Sequence, residues 1–289
     1  MEFYLAAVLI GSCLSSMSLG IFITMKIFRI PDITTDGSYT LGAVTTAVLI
    51  TQGWSLGFVI GATLAAGALA GLLTGLVHTR LKIDALLSGI LVMTGLYSIN
   101  LTLLGRSNVP LLQQNNIFDL LILFKNTVYN QLIIVFLFIL IISGLLAYIL
   151  RTDFGIAMRA TGSSESMTGA LGINRNAMKI TGLAIANALT ALSGFLIAQY
   201  QHFTDASMGI GIVIVGLGSV LIGDTLINTL NIKLLWVQLL VVVGGSIVFQ
   251  MMLALALASG INPNMLKLLT AVLVLVIVGI PQIRLRRSL

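Results

Sequence analysis

The stretch RTDFGIAMRATGSSESMTGALGINRNAMK, Arg151 to Lys179, decides how this chain is read. It is the longest run in the sequence that has no place in lipid. Four basic residues (Arg151, Arg159, Arg175, Lys179) stand against two acidic ones (Asp153, Glu165), and apolar runs of more than twenty residues flank it on both sides. The spacing predicts two short helices. The first covers about Asp153 to Ala160 and is closed by Gly162, a residue suited to the left-handed position past a helix end. The second takes Ser163 as its N-cap and places Glu165 in the first turn, where the helix dipole favours an anion. It ends at Leu171 with Gly172 beyond. Met167, Ala170 and Leu171 then share one face. Two readings stay open for such a helix: insertion into a groove on another protein, or a flat position on the lipid headgroups.

The surrounding composition excludes a soluble domain. Hydrophobic residues make up 58% of the chain and charged ones 8%, against about 25% charged in a typical soluble protein. A bilayer core takes about 20 apolar residues per helix, so the length accommodates about eight to ten spans. The net charge of +6 does not point to nucleic acid, because the basic residues sit at span ends and do not interleave with aromatics. The single cysteine, Cys13, lies in an apolar run and offers no disulfide framework. The start carries Glu2 where a signal peptide is basic, and no small-x-small site follows the first apolar run, so residues 1–28 are expected to be a retained first span.

Working outward from the central loop, the hydropathy predicts nine spans: Phe3–Phe28, Thr34–Thr51, Trp54–Val77, Ile83–Leu104, Val128–Leu150, Ile180–Tyr200, about Met208–Leu226, Leu234–Ala258 and about Met265–Ile280. A polar segment from Gly105 to Thr127 separates the fourth from the fifth. The expected fold is a single all-α integral membrane domain over residues 1–289, with discontinuous helices near 31–40 and 208–224. Orientation follows from the positive-inside rule. With the N-terminus outside and the C-terminus cytoplasmic, twelve of the fifteen lysines and arginines fall inside, leaving Arg106, Lys125 and Lys267 outside. The loop 151–179 is then cytoplasmic. Close-spaced glycines (Gly57 and Gly61, Gly67, Gly71 and Gly75, Gly244 and Gly245) are expected to mark helix-packing faces.

Polar residues at membrane depth are the next signal. Pro31 stops a helix, and Asp36-Gly37-Ser38 interrupts a second start. A carboxylate at mid-span costs about 2.5–3.5 kcal/mol on insertion scales, so Asp32 and Asp36 either face a cavity or cap a helix near the surface. Thr94, Tyr97 and Asn100 recur every three residues on span 4 and form a stripe that faces protein or water. Asn187 and Thr190 give span 6 a smaller polar face. Asp224, close to the cytoplasmic end of span 7, is expected to be a cap. No Gly-Lys dipeptide is present, hence no phosphate-binding P-loop, and His78 and His202 lie at opposite span ends, so no catalytic or metal-binding cluster is predicted.

Three segments carry a family resemblance. PDITTDGSYTLGA, residues 31–43, resembles the opening of the central helix in permeases of the ribose and branched-chain amino acid branch of ABC importers. RTDFGIAMRATGSSESMTGALGIN resembles their cytoplasmic coupling loop, and GLYSINLTLLGRSNVPL, residues 95–111, is similar to a subgroup assigned to amino-acid-like substrates, tryptophan and tyrosine systems among them. The resemblance implies a permease subunit, not an enzyme, of the bacterial cytoplasmic (inner) membrane. Its implied partners are a second permease copy, an extracytoplasmic solute-binding protein and an ABC ATPase subunit, which binds the ATP, so the chain itself needs no cofactor. It also implies that Ser164, Glu165, Met167, Thr168, Ala170, Leu171 and Gly172 contact the ATPase. Candidate linings of the translocation path, chosen by polarity, are Thr34, Thr35, Asp36, Ser38, Tyr39, Thr94, Tyr97, Asn100 and Asn187. No intramembrane arginine or lysine points to an anionic solute, so a small neutral or zwitterionic compound fits, most simply an amino acid. The alternatives are a sugar or nucleoside permease of the same branch, an ion-coupled secondary transporter, and a scaffold without transport.

Overall fold

A chain this apolar satisfies its backbone internally, and helices do so within one segment. The computed structural model describes residues 2–112, 114, 116–119 and 127–287, and among them eleven α-helices account for nearly all regular structure. In chain order they are α1 (Glu2–Ile21), α2 (Thr34–Thr51), α3 (Leu56–Arg80), α4 (Ala85–Leu104), α5 (Thr127–Arg151), α6 (Asp153–Ser163), α7 (Glu165–Ala170), α8 (Arg175–Gln201), α9 (Ile212–Thr229), α10 (Leu235–Ala258) and α11 (Leu266–Arg287). Seven of the described helices are long and apolar enough to cross a membrane. The α2 helix falls outside that group although its place matches the second predicted span. Its low hydropathy has a structural cause: most of it, including Thr34, Thr35, Asp36, Ser38 and Thr40, is buried in protein. A helix enclosed by its neighbours need not be as greasy as one that faces lipid. The Gly105–Thr127 segment lies partly outside the described residues.

The organising helix is α8. It packs against α1, α2 and α3, and divides the molecule into two lobes, α2–α4 on one side and α1, α5, α9 and α10 on the other. Close approach depends on glycine at a few points. A Cβ on Gly42 (α2) would lie 1.9 Å from the Ala191 carbonyl oxygen, and one on Gly71 (α3) 2.1 Å from that of Leu183. Gly67 and Gly75 likewise face the α8 backbone, as the sequence pattern predicts. Gly57, Gly61 and Gly244 do not: among the described residues, no other element lies within 4 Å of where their Cβ atoms would be. Periodicity finds glycine stripes but does not say which of them meets a neighbour.

Three sequence expectations need correction. Gly162 is not a helix terminator. It is helical, inside α6, and a Cβ there would lie 1.7 Å from the Ile27 carbonyl oxygen. Its job is packing. The N-cap of the second loop helix is Ser164 and not Ser163, with the Ser164 hydroxyl accepting from the Met167 N–H at 3.4 Å. Finally, 208–224 holds no broken helix: α9 runs unbroken from Ile212 to Thr229. Gly216, Gly218 and Gly223 are helical there and pack against Ile21, Phe249 and Val242.

Two features were not legible in the sequence. The end of α1 widens into a π-helical turn over Phe22–Ile27, closed by a Phe28 N–H to Ile23 carbonyl bond of 3.1 Å. A two-stranded antiparallel ladder joins β1 (Asn108–Pro110) to β2 (Phe203–Asp205), with Val109 opposite Thr204. It ties the end of α4 to the connection between α8 and α9.

Candidate functional site

The polar residues of 31–43 are held by a dense set of internal bonds. Pro31 ends the connection from α1, and Asp32 then accepts from the Thr34 N–H at 2.9 Å, capping the entry to α2. Its other oxygen, Oδ2, accepts from Asn187 Nδ2 on α8 at 2.7 Å. The Asn187 amide oxygen in turn accepts from the Ser38 hydroxyl at 2.6 Å. All three side chains are buried, so one asparagine links α8 to both the start and the second turn of α2. The Thr34 hydroxyl bonds Thr74 on α3 at 2.7 Å, Thr35 donates to the Asp32 carbonyl, and Tyr39 is buried in the core.

Asp36 does something the sequence did not reveal. Its two oxygens accept from the Gly211 and Val213 N–H groups, each at 2.8 Å, so a carboxylate on α2 caps the N-terminus of α9. Gly211 sits in the left-handed region at φ +84°. The sequence reading of Asp36 as cap or lining therefore meets a cap supplied to another helix.

The predicted stripe on α4 divides. Asn100 points inward and donates to the Gly37 carbonyl at 3.2 Å, leaving its buried amide oxygen without a partner. Thr94 and Tyr97 are exposed on the outer side of the helix. The candidate lining thus consists of a buried group around α2 and α8 and an exposed pair on α4.

At the opposite end of the sequence's polar map lies the loop 151–179. Thr152 caps α6, and Gly155 and Gly162 let that helix lie against the α5 terminus and the π-helical turn. Met158 and Thr161 are fully buried there. The short α7 helix that follows is fixed from behind: Thr168 is buried and donates to the Ser164 carbonyl at 3.0 Å, and Glu165 forms an ion pair with Lys179 at 2.6 Å. Arg175 adds a hydrogen bond to the Glu165 carbonyl at 3.3 Å. Gly172 takes the left-handed conformation at φ +78°, and Asn174 caps α8 directly afterwards. The front face is bare. Met167 is 65% exposed and Leu171 67%, with Ala170 exposed between them. Met167 on the six-residue α7 and Leu171 just past its end form an exposed apolar pair, on a segment held by polar bonds on its other side.

Residues 3–279 match the family described as the permease component of branched-chain amino acid transport systems. The chain belongs to that family. It is a multi-pass membrane permease, a transporter subunit. This permease is 37% identical over 263 residues to the tyrosine transport system permease protein of Clostridioides difficile (strain R20291), covering 91% of this chain and 85% of that one. It is 31% identical over 261 residues to an uncharacterised protein of Rickettsia prowazekii (strain Madrid E), covering 89% and 90% respectively. No solved structure matches the permease. The family resemblance drawn from the three sequence segments is therefore correct, and the permease is a subunit of an amino acid transport system of the ABC type.

Asp224 shows what the sequence reading missed. It is not the expected cap: it lies inside α9, accepts from the Asn228 side chain one turn on, and forms an ion pair with Lys26 of the π-helical turn. Lys26 and Asp224 are 198 positions apart, and no local pattern connects them.

Proposed function

We propose that this permease works as one half of a homodimer in a bacterial inner membrane, importing a small neutral or zwitterionic solute with energy from a separate ATPase. The solute class is an amino acid or a close analogue, and an aromatic one is the first to test, given the relative named for tyrosine transport. In this reading α7 seats in a cleft of the ATPase, with Ser164, Glu165, Met167, Thr168, Ala170, Leu171 and Gly172 at or behind the contact. The chain crosses the membrane nine times with its N-terminus outside. An extracytoplasmic binding protein delivers the solute to the opposite face.

The observation that carries this reading is the bare face of Met167 and Leu171 on a helix braced from behind by the Glu165–Lys179 pair and the buried Thr168. A helix lying flat on headgroups needs no such bracing. For the path, Thr94 and Tyr97 on α4 face the solute across the dimer axis. Thr34, Thr35, Asp36, Ser38, Tyr39, Asn100 and Asn187 form the wall behind them.

The test is co-purification of the permease with the ATPase encoded beside it. Leu171→Asp puts a charge into the apolar contact and Glu165→Arg reverses the brace, so each is expected to abolish the complex while the permease alone stays folded. Undiminished assembly in both variants would remove α7 from the interface. Uptake by the purified permease under an ion gradient, with no ATPase present, would overturn the ATP-driven reading itself.

A further inference from the structure

At the end of the molecule where α1, α6, α9 and α10 meet, a cavity of about 210 Å³ opens between the π-helical turn and the start of α10. Lys26 and Arg29 line it from the turn and its exit, Arg159 and Ser163 from α6, and Leu235 and Gln238 from α10. Three cations from two separate elements converge on one concavity. Like charges so placed repel one another unless an anion joins them. Among the described residues the only carboxylate paired with any of them is Asp224, which takes Lys26; Arg29 and Arg159 have no ion pair.

The arrangement is built and not incidental. Arg29 occupies the left-handed region at φ +56°, which costs a non-glycine residue about 1–2 kcal/mol. Gly162 places α6 directly against the Ile27 carbonyl, so the backbone carrying Arg159 is locked to the turn carrying Lys26 and Arg29. Leu235 gives one wall an apolar surface. Beside it, the Trp236 ring covers Gly144, where a Cβ would lie 3.4 Å from it, and tryptophan near a span end marks headgroup depth.

We propose that this cavity binds the phosphodiester of an anionic phospholipid from the leaflet on that side. The guanidinium forks of Arg29 and Arg159 suit phosphate oxygens. A basic pocket between helices at headgroup depth combines that charge with an apolar rim for the acyl chains. The proposal depends neither on the ATPase nor on the transported solute.

Native mass spectrometry of the detergent-purified permease, with its thermal midpoint followed in parallel, tests the site. The probes are phosphatidylglycerol, phosphatidylcholine, and inorganic phosphate at matched ionic strength. Phosphatidylglycerol is expected to remain bound and to raise the midpoint, and the other two are not. Each basic group near a membrane surface contributes roughly fivefold, so the double substitution R29Q and R159Q should weaken retention about thirtyfold. Lys82→Gln, outside the cavity, should leave it unchanged. Asp224→Asn keeps both arginines and frees Lys26, so it should strengthen retention, which guards against a double variant that folds poorly. Equal retention of phosphatidylcholine, or wild-type retention of phosphatidylglycerol by the double variant, would overturn the site. An equal midpoint rise with inorganic phosphate would reassign it to soluble anions and refute the lipid.

Discussion

Asn187→Leu should be among the most damaging single changes in the permease, and the structure says roughly by how much. The side chain donates to Asp32 Oδ2 at 2.7 Å and to the Leu183 carbonyl at 3.0 Å, and accepts from Ser38 at 2.6 Å. Leucine is of similar size and removes all three bonds. The Leu183 carbonyl is an ordinary helix acceptor, so its loss is minor. The other two partners are buried, and each is stranded. An unsatisfied buried polar group costs about 1–3 kcal/mol, and a charged one more, so the expected loss is about 3–5 kcal/mol. The hydrophobic gain that would offset it is small, because in detergent the unfolded reference also keeps a leucine side chain out of water. Most of the penalty should come from the uncompensated Asp32 carboxylate. Asp32→Asn, which keeps the cap on Thr34, should therefore recover about 1–2 kcal/mol in the Asn187→Leu background while destabilising the wild type. Denaturant or thermal unfolding in a fixed detergent, run on all four proteins of the cycle, measures both quantities. If Asn187→Leu unfolds within about 0.5 kcal/mol of wild type, or if the two changes simply add, the three-residue link is not what joins α2 to α8.

Further outcomes follow from the same geometry. Gly42→Ala should destabilise by about 1–3 kcal/mol or more because the 1.9 Å contact is with backbone, whereas Gly61→Ala should be neutral to slightly stabilising; the same unfolding assay separates them. Asp36→Ala removes acceptors from two N–H groups at the head of α9 and should cost about 2 kcal/mol, seen as faster hydrogen exchange at Gly211 and Val213. The Lys26–Asp224 pair is partly solvent-exposed, so a double-mutant cycle should find it worth no more than about 1 kcal/mol, falling with added salt. At the β1–β2 corner, hydrogen bonds from the Ser207 hydroxyl and backbone N–H hold the Asp205 carboxyl below the usual carboxylate range. A depressed folded-state value means this contribution is present above the unfolded carboxyl pKa and fades as pH falls through the folded one. Ser207→Ala should move that loss to higher pH, measured by exchange at Val109 and Thr204.

Most of the helix map was legible because lipid imposes a crude rule. Long apolar runs must be helical, and the span predicted over Leu234–Ala258 is met by α10 at Leu235–Ala258. The loop 151–179 was legible in part for a different reason: left-handed glycines such as Gly172 are local chemistry. Apart from the one-residue shift of the cap from Ser163 to Ser164, the failures involve partners far apart in sequence. Gly162 looks like a terminator until Ile27 is seen against it. Asp36 reads as a cap or a lining, but nothing local says that the helix it caps is α9, whose N–H groups lie 175 and 177 positions away. The π-helical turn leaves no pattern at all in FITMKI, since a single widened turn changes neither hydropathy nor charge.

These long-range contacts also explain how a push on α7 reaches the solute path under the proposed function. α7 is tied to α8 by Glu165–Lys179, and α6 lies against the π-helical turn with no slack at Gly162. That turn leads through a short connection into Asp32, and the Asp32–Asn187–Ser38 link fixes the start of α2 back onto α8. Asp36 then passes the position of α2 to the head of α9. Apolar packing alone would let these helices slide, because in lipid no solvent penalty resists a shift of one greasy surface along another. Directional hydrogen bonds between buried polar groups do not slide; they hold or break. Polar residues that seemed placed for the solute are thus also the rigid joints between helices, which is the simplest reason for so many of them to be buried with partners inside one chain.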